Sequence, residues 1–426
     1  MDRGNRTILP GGVRMKSLFE RCYQFGERLT EKTELLFQEL KDSPPAYFDG
    51  LNMTLLEGVK PVTKVRLPSG EIKEMLMLGS NSFLNLNWHP AVIEAERNAL
   101  EKYGSGAGSP PLYSGTTDLH DELEQELAKF CNTESALIFP AGYSGNVGVL
   151  SGLCRPGDAI FCDSSNHASL YDGARLSGAR VVPYLHLNPK HLERCLKQSE
   201  ERGKLIVTDG VFSMEGSLAP VDELVRLKEK YDSLLMVDDA HGFWAVGPDG
   251  TGTASVFGMR DKVDLHYGTF SKALGSVGGF CAGKRHVIDY LRYYARSTFF
   301  SSAMPAATVA AILQSIRIVR EEPEHLANLN RNRDFFQSEL EKRGINTLNS
   351  RSAIIPVLVG DEEKLGKLQM ALFEAGIFSN IGTTPAVNAS KCRLRLNVMA
   401  THSLEQLGFA VETIERLAKQ FQVIPS

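Results

Sequence analysis

From about residue 90 to 300, short apolar runs of strand length alternate with segments of helical period. This alternation constrains the fold more than any other feature of the chain. It predicts helices over 91–103, 119–130, 143–153, 168–176, 189–198 and 221–231. Strands are expected over 135–139, 159–162, 180–185, 205–208 and 233–237. Strand, helix and strand in turn make a parallel sheet with helices on both faces, so an α/β domain is expected. Catalytic groups of such sheets lie at the carboxyl ends of strands. Asp163, Asp209 and Asp238 all fall at expected strand ends. After Pro305 the texture changes: helices over 306–320, 324–342, 363–375 and 404–421, with strands over 353–359 and 392–398, read as a smaller α+β domain.

At 426 residues the chain exceeds the usual size of one domain. The expected division is a disordered 1–14, an arm with small-domain elements over 15–90, a large domain over 91–305 and a C-terminal small domain over 306–426. Met15 is a candidate natural start. Hydrophobic residues at 42% and charged residues at 23% are ordinary for a globular protein. A net charge of −4 and the lack of a basic run give no support for nucleic-acid binding. The seven cysteines are scattered, with no CxxC pair, and read as reduced thiols rather than disulfides or a metal site. No signal-peptide core precedes them, so a cytoplasmic location is expected. The longest nearly apolar stretch, 302–313, is too short to span a bilayer. Segment 17–40 has helical spacing of Leu18, Phe19, Cys22, Phe25 and Leu29 and mixes both charge signs. It reads as a helix packed on the body or on a second subunit rather than on a membrane.

The chemistry starts at Lys272, in GTFSKALGSVGG. A lysine beside the hydroxyls of Thr269 and Ser271 and a run of small residues can form a Schiff base with an aldehyde while the loop holds a phosphate. A surface lysine in a Gly-rich loop is the plainer alternative. VDDAHG, residues 237–242, weighs against it. Asp238 ends an apolar strand and can pair with a protonated pyridine nitrogen, and His241 can reach a phenolic oxygen or the substrate. Together these point to pyridoxal 5′-phosphate.

Other motifs add weaker signals. PAGYSGN puts Gly142 and Tyr143 where a helix starts, a site suited to phosphate. NHASLYDG follows a strand, and its His167 can lay an imidazole face on an aromatic ring. Ser213, in GVFSMEG, can donate to a cofactor oxygen. GSGAGS, 104–109, reads as a turn near a ligand. In RLRLNV, Arg393 and Arg395 share one face of a strand; an inward arginine clamps a carboxylate, and a salt-bridged strand face is the alternative.

In this order the motifs resemble the α-oxoamine synthases, the pyridoxal-phosphate family that includes 8-amino-7-oxononanoate synthase and serine palmitoyltransferase. The likeness runs from about Leu78 to His402 through LGSNSFLNLNWHP, GSGAGS, NHASLYDGARLSG, DGVFSMEGS, VDDAHG, GTFSKALGSVGG, FSSAMP and RLRLNVMATH. It implies an aminotransferase-like fold of type I, with a seven-stranded, mainly parallel sheet, and a homodimer with a shared active site. Lys272 then matches the Schiff-base lysine and Asp238 the partner of the pyridine nitrogen. His241 and Ser213 match groups near the phenolic oxygen, and His167 the imidazole stacked on the ring. Gly142, Tyr143 and Thr269 match phosphate contacts, with Ser302 reaching in from the other subunit. Asn81 and Arg395 match the groups that hold the amino-acid carboxylate. No metal is implied.

Three departures stand out. Pro110 and Pro111 replace the arginine that usually follows the Gly-rich turn, which argues against an acidic acyl donor and so against 5-aminolevulinate synthase. Gly382, Thr383 and Thr384 replace an Arg-Pro-Pro stretch. Ser82 and Phe83 replace Asp and Tyr. The expected reaction joins a small L-amino acid to an acyl thioester, on CoA or a carrier protein, with loss of CO2, to give an α-amino ketone. Rival readings are an aminotransferase or aldolase using the same cofactor, and a non-catalytic partner subunit. The last would lack Lys272.

Overall fold

The computed structural model describes residues 52–384 and 386–425, with a few positions between 28 and 37. The expectations for 1–14, and most of that for 17–40, lie outside the described residues.

Seven strands form the central sheet: β1 (Ser135–Phe139), β2 (Ala159–Asp163), β3 (Arg180–Tyr184), β4 (Lys204–Asp209), β5 (Leu234–Asp238), β6 (Leu265–Thr269) and β7 (Gly279–Gly283). Their order is β1-β7-β6-β5-β4-β2-β3. The pairs from β6 through to β3 are parallel, and β7 runs against both its neighbours. The sequences of β2 and β4, AIFCD and KLIVTD, are apolar almost throughout because both faces are covered; every residue of β2 is buried. Helices α1 (Gly142–Leu153) and α2 (Ala168–Ser177) lie on one face and pack on each other. This is the aminotransferase-like α/β architecture of fold type I.

A three-stranded antiparallel sheet sits beyond it: β8 (Ile354–Leu358), β9 (Asn380–Gly382) and β10 (Arg393–Asn397), with β10 in the centre. Thr54–Leu55, Val62–Arg66, Ile72–Met77 and Ile377–Phe378 form a further four-stranded sheet. One large apolar cluster joins Phe270 and Phe280 beside the central sheet to Ile354, Leu394 and Leu407 beyond it. Among the described residues no helix is long and apolar enough to cross a membrane. The apolar stretch 302–313 instead leads into helix Ala306–Glu321, whose Val309, Ile312 and Leu313 are core.

All the strands and helices expected from residue 91 onward form, within two residues at each end. Several elements escaped the reading. Val62–Arg66 turns only Thr63 and Val65 inward, too few positions to show a period. Strand β7, GFCAG, has no β-branched residue and is held by pairing on both sides. Helix Arg285–Tyr294 buries only Ile288 and Leu291.

Candidate active site

Because β2, β4, β5 and β6 are parallel, Asp163, Asp209, Asp238 and Thr269 arrive at the same edge of the sheet. There a cavity of about 230 Å³ opens. Ten residues singled out from the sequence line it: Gly142, Tyr143, His167, Asp209, Ser213, Asp238, His241, Thr269, Ser271 and Lys272. Arg395 and Asn81 stand behind this wall and are tied to it: Arg395 donates from Nε to the Ser213 carbonyl and from Nη2 to Asn81 Oδ1 at 3.0 Å. Ser302 is exposed and does not line the cavity, and neither does the GSGAGS turn.

One end of the cavity is built for an anion. α1 begins at Gly142, and its first backbone N–H groups have no helical partner. A Cβ at Gly142 would sit 2.9 Å from Thr269 Oγ1, so only glycine leaves the approach open. Thr269 Oγ1 donates to the Gly278 carbonyl at 2.7 Å and lies 2.9 Å from Ser271 Oγ. Gly278 has φ 108° and would put a Cβ 2.5 Å from Met304 Sδ, so the turn closing the lysine loop also requires glycine.

The other end is built for a cationic ring nitrogen. Asp238 Oδ2 accepts from Asn146 Nδ2 at 2.6 Å and Oδ1 from the Ala240 N–H at 3.0 Å. Burial still pushes this carboxyl above its usual range, so a positive charge beside it would favour the ionised form. Asp209, also buried and next to Asp238, is pushed up more strongly, and its Oδ1 accepts from the His167 N–H at 3.2 Å.

Lys272 is mostly buried. Desolvation and then the charge of Arg395 lower its pKa, against the pull of Asp238 and Asp209. Burial and the charge of Lys272 also hold His241 neutral, well below the usual histidine range, and its buried Nδ1 has no partner among the described residues. Asn146 Oδ1 is likewise unpartnered. His167 caps α2, accepting at Nδ1 from the Ser169 N–H at 3.3 Å, which leaves the proton of the neutral ring on Nε2. Its ring meets Tyr143 edge-on at 6.3 Å.

Asn146, Ser169 and Tyr267 also line the cavity and were not anticipated. Asn146 sits one turn into α1, so its position after the glycine motif was the available signal. Tyr267 donates to the Gly142 carbonyl across the sheet, a contact with no local signature. Asp163 was flagged as a strand end, but it serves structure: it accepts from the Ser165 and Leu187 N–H groups and pairs with His186 at 2.9 Å.

A phosphate cup, a carboxylate at the far end, a neutral imidazole and a desolvated lysine between them match the shape and charges of pyridoxal phosphate. With the fold, they define an enzyme class that carries this cofactor on a lysine.

Comparisons with known proteins agree. The aminotransferase class I and II family matches residues 73–414. 8-Amino-7-oxononanoate synthase 1 of Bacillus velezensis is 41% identical over 369 residues, covering 86% of this chain and 94% of that protein. Serine palmitoyltransferase of Sphingobacterium spiritivorum is 42% identical over 352 residues, covering 82% of this chain and 88% of that one. The solved structure of Sphingomonas wittichii serine palmitoyltransferase superposes with a TM-score of 0.87 at 32% identity, over 94% of this chain and all of that one. The chain belongs to the α-oxoamine synthases, within the class I and II aminotransferase family, and is a pyridoxal-phosphate-dependent acyltransferase.

Proposed function

We propose that the enzyme condenses a small L-amino acid (serine, alanine or glycine) with a non-acidic acyl thioester, on CoA or a carrier protein, releasing CO2 and an α-amino ketone. The observation that carries this reading is a half-buried lysine of lowered pKa lining one cavity with a buried Asp238, with a buried Arg395 behind its wall. Bound pyridoxal phosphate supplies the electron sink that makes the amino-acid Cα acidic. Gly142, Tyr143 and Thr269 hold its phosphate, Asp238 its ring nitrogen, and Ser213 and His241 its phenolic oxygen, with His167 over the ring. Ser302 of a second subunit would complete the phosphate site in a homodimer.

Lys272, whose pKa burial and the charge of Arg395 lower, takes the Cα proton. Arg395 and Asn81 hold the substrate carboxylate. Two of the five guanidinium N–H donors of Arg395 bond the protein among the described residues, which leaves three for a carboxylate. His167 presents Nε2–H to the thioester carbonyl, where charge builds as Cα attacks. The C–C bond forms, the thiol leaves, the carboxylate departs as CO2, and Lys272 returns a proton to Cα.

The test is mass spectrometry of products from the pure protein with mixed amino acids and a panel of acyl-CoAs. An α-amino ketone with equimolar free thiol and CO2 is expected. Transamination products alone would replace this reading with an aminotransferase. Borohydride trapping should tag the peptide containing Lys272, and Lys272→Ala should abolish both tagging and turnover.

A further inference from the structure

Glu215 lies outside the cavity wall, and no step above uses it. We propose that Glu215 is a positioning residue for substrate-carboxylate binding: joined to His186 on one side and to Arg393 on the other, it locks the turn carrying Ser213 against the strand carrying Arg395. The inference rests on the reading that Arg395 holds the amino-acid carboxylate.

The turn after β4 folds back on itself, Phe212 N–H donating to the Ser217 carbonyl at 3.0 Å. Its successive residues are held by alternate arginines of β10. Arg395 takes the Ser213 carbonyl, and Arg393 takes the Met214 carbonyl and Glu215 Oε1, both at 3.3 Å. Both arginines are buried on one strand face, Arg393 at 1% exposure. Glu215 Oε2 meets His186 Nε2 at 3.0 Å, and His186 Nδ1 meets Asp163 Oδ1 at 2.9 Å. Asp163 Oδ1 also accepts from the Ser165 N–H, two residues before His167. One chain of contacts thus links the segment leading to His167, the Ser213 turn and the Arg395 strand, which belong to two different sheets.

The charges support a closed contact. Burial opposes protonation of His186, but the hydrogen bonds to Asp163 and Glu215 outweigh it and raise its pKa to about 9. The bond from His186 lowers Glu215 to about 2, with Arg393 adding to it. Asp163 and Glu215 bond His186, Asp209 feels its charge, and Arg393 lies beyond Glu215, with the Phe212 ring edge-on at 4.4 Å. A loose Arg393 would free the turn and let Arg395 drift, and an ångström there is costly to a bidentate carboxylate contact.

Glu215→Gln keeps the shape and removes the charge. Binding of serine, alanine and glycine to the holoenzyme is followed by the absorbance change of the cofactor, beside bound-cofactor content. We expect the dissociation constant of the preferred amino acid to rise about tenfold, with cofactor content unchanged. KM for that amino acid should rise more than kcat falls. His186→Gln should weaken binding from the other side, and the double variant should bind no worse than the weaker single one. An affinity within twofold of the parent overturns the inference, as does loss of cofactor in step with affinity, which would mark a merely structural role. If Glu215→Gln does not fold, His186→Gln alone decides by the same criteria. A parent enzyme that binds no small amino acid overturns the functional reading and this inference together. A parent that binds one as well as Glu215→Gln does overturns this inference alone.

Discussion

Asn146→Ala tests the claim that the far end of the cavity serves a cationic ring nitrogen. Asn146 Nδ2 donates to Asp238 Oδ2 at 2.6 Å and to Ser169 Oγ at 2.9 Å, and Asp238 is only 4% exposed. A hydrogen bond to a charged acceptor contributes about 1.5–3 kcal/mol. Each 1.4 kcal/mol is about tenfold in affinity, giving a range of about 10- to 150-fold. The Ala240 N–H stays on Oδ1 at 3.0 Å, which places the expectation toward the lower end. The sign follows from the carboxyl: the Asn146 bond lowers the Asp238 pKa against burial, so its loss raises that pKa further and leaves more neutral acid at pH 7. A neutral acid attracts a pyridinium less. The dissociation constant of pyridoxal phosphate, from absorbance titration of apoprotein, should therefore rise about 10- to 100-fold at pH 7. The defect should shrink as pH rises and Asp238 ionises again. Urea unfolding of the apoprotein serves as the control for folding. A folded variant that binds the cofactor within threefold of the parent would refute the argument.

Gly142→Ala should drive a Cβ to within 2.9 Å of Thr269 Oγ1 and close the anion cup. We expect about a tenfold loss of cofactor affinity, about 1–2 kcal/mol, read by the same titration. The His186–Glu215 pair makes stability depend on pH at both ends. His186 is raised to about 9, so its contribution is complete below about 6.5 and is lost as pH rises through 9. Glu215 is lowered to about 2, so its contribution is complete above about 4.5 and is lost as pH falls through 2. The unfolding free energy of the parent, from urea titration, should thus fall between pH 7 and 9.5 by more than that of His186→Gln, by up to about 2.4 kcal/mol; equal slopes would contradict this. Arg292→Leu strips the partner from Glu124, paired at 2.6 Å and pushed up by burial, and should cost about 3 kcal/mol in urea unfolding; Glu124→Gln in the same background should recover part of it.

The sequence by itself determined the parallel core. Runs such as LIV at 205–207 and LLMV at 234–237 are apolar throughout only if both faces of a strand are covered, and that demands the helices between them. It also determined where part of the chemistry stands, since parallel strands bring Asp209 and Asp238 to one edge. The tertiary structure alone decided what surrounds those groups. Asn146 reaches Asp238 across helix and sheet, β7 exists by pairing rather than propensity, and Arg393 meets Glu215 although nearly half the chain separates them. No local rule encodes such contacts. They arise when two sheets bury charged side chains against each other, and a buried charge must find its partner wherever the fold puts one.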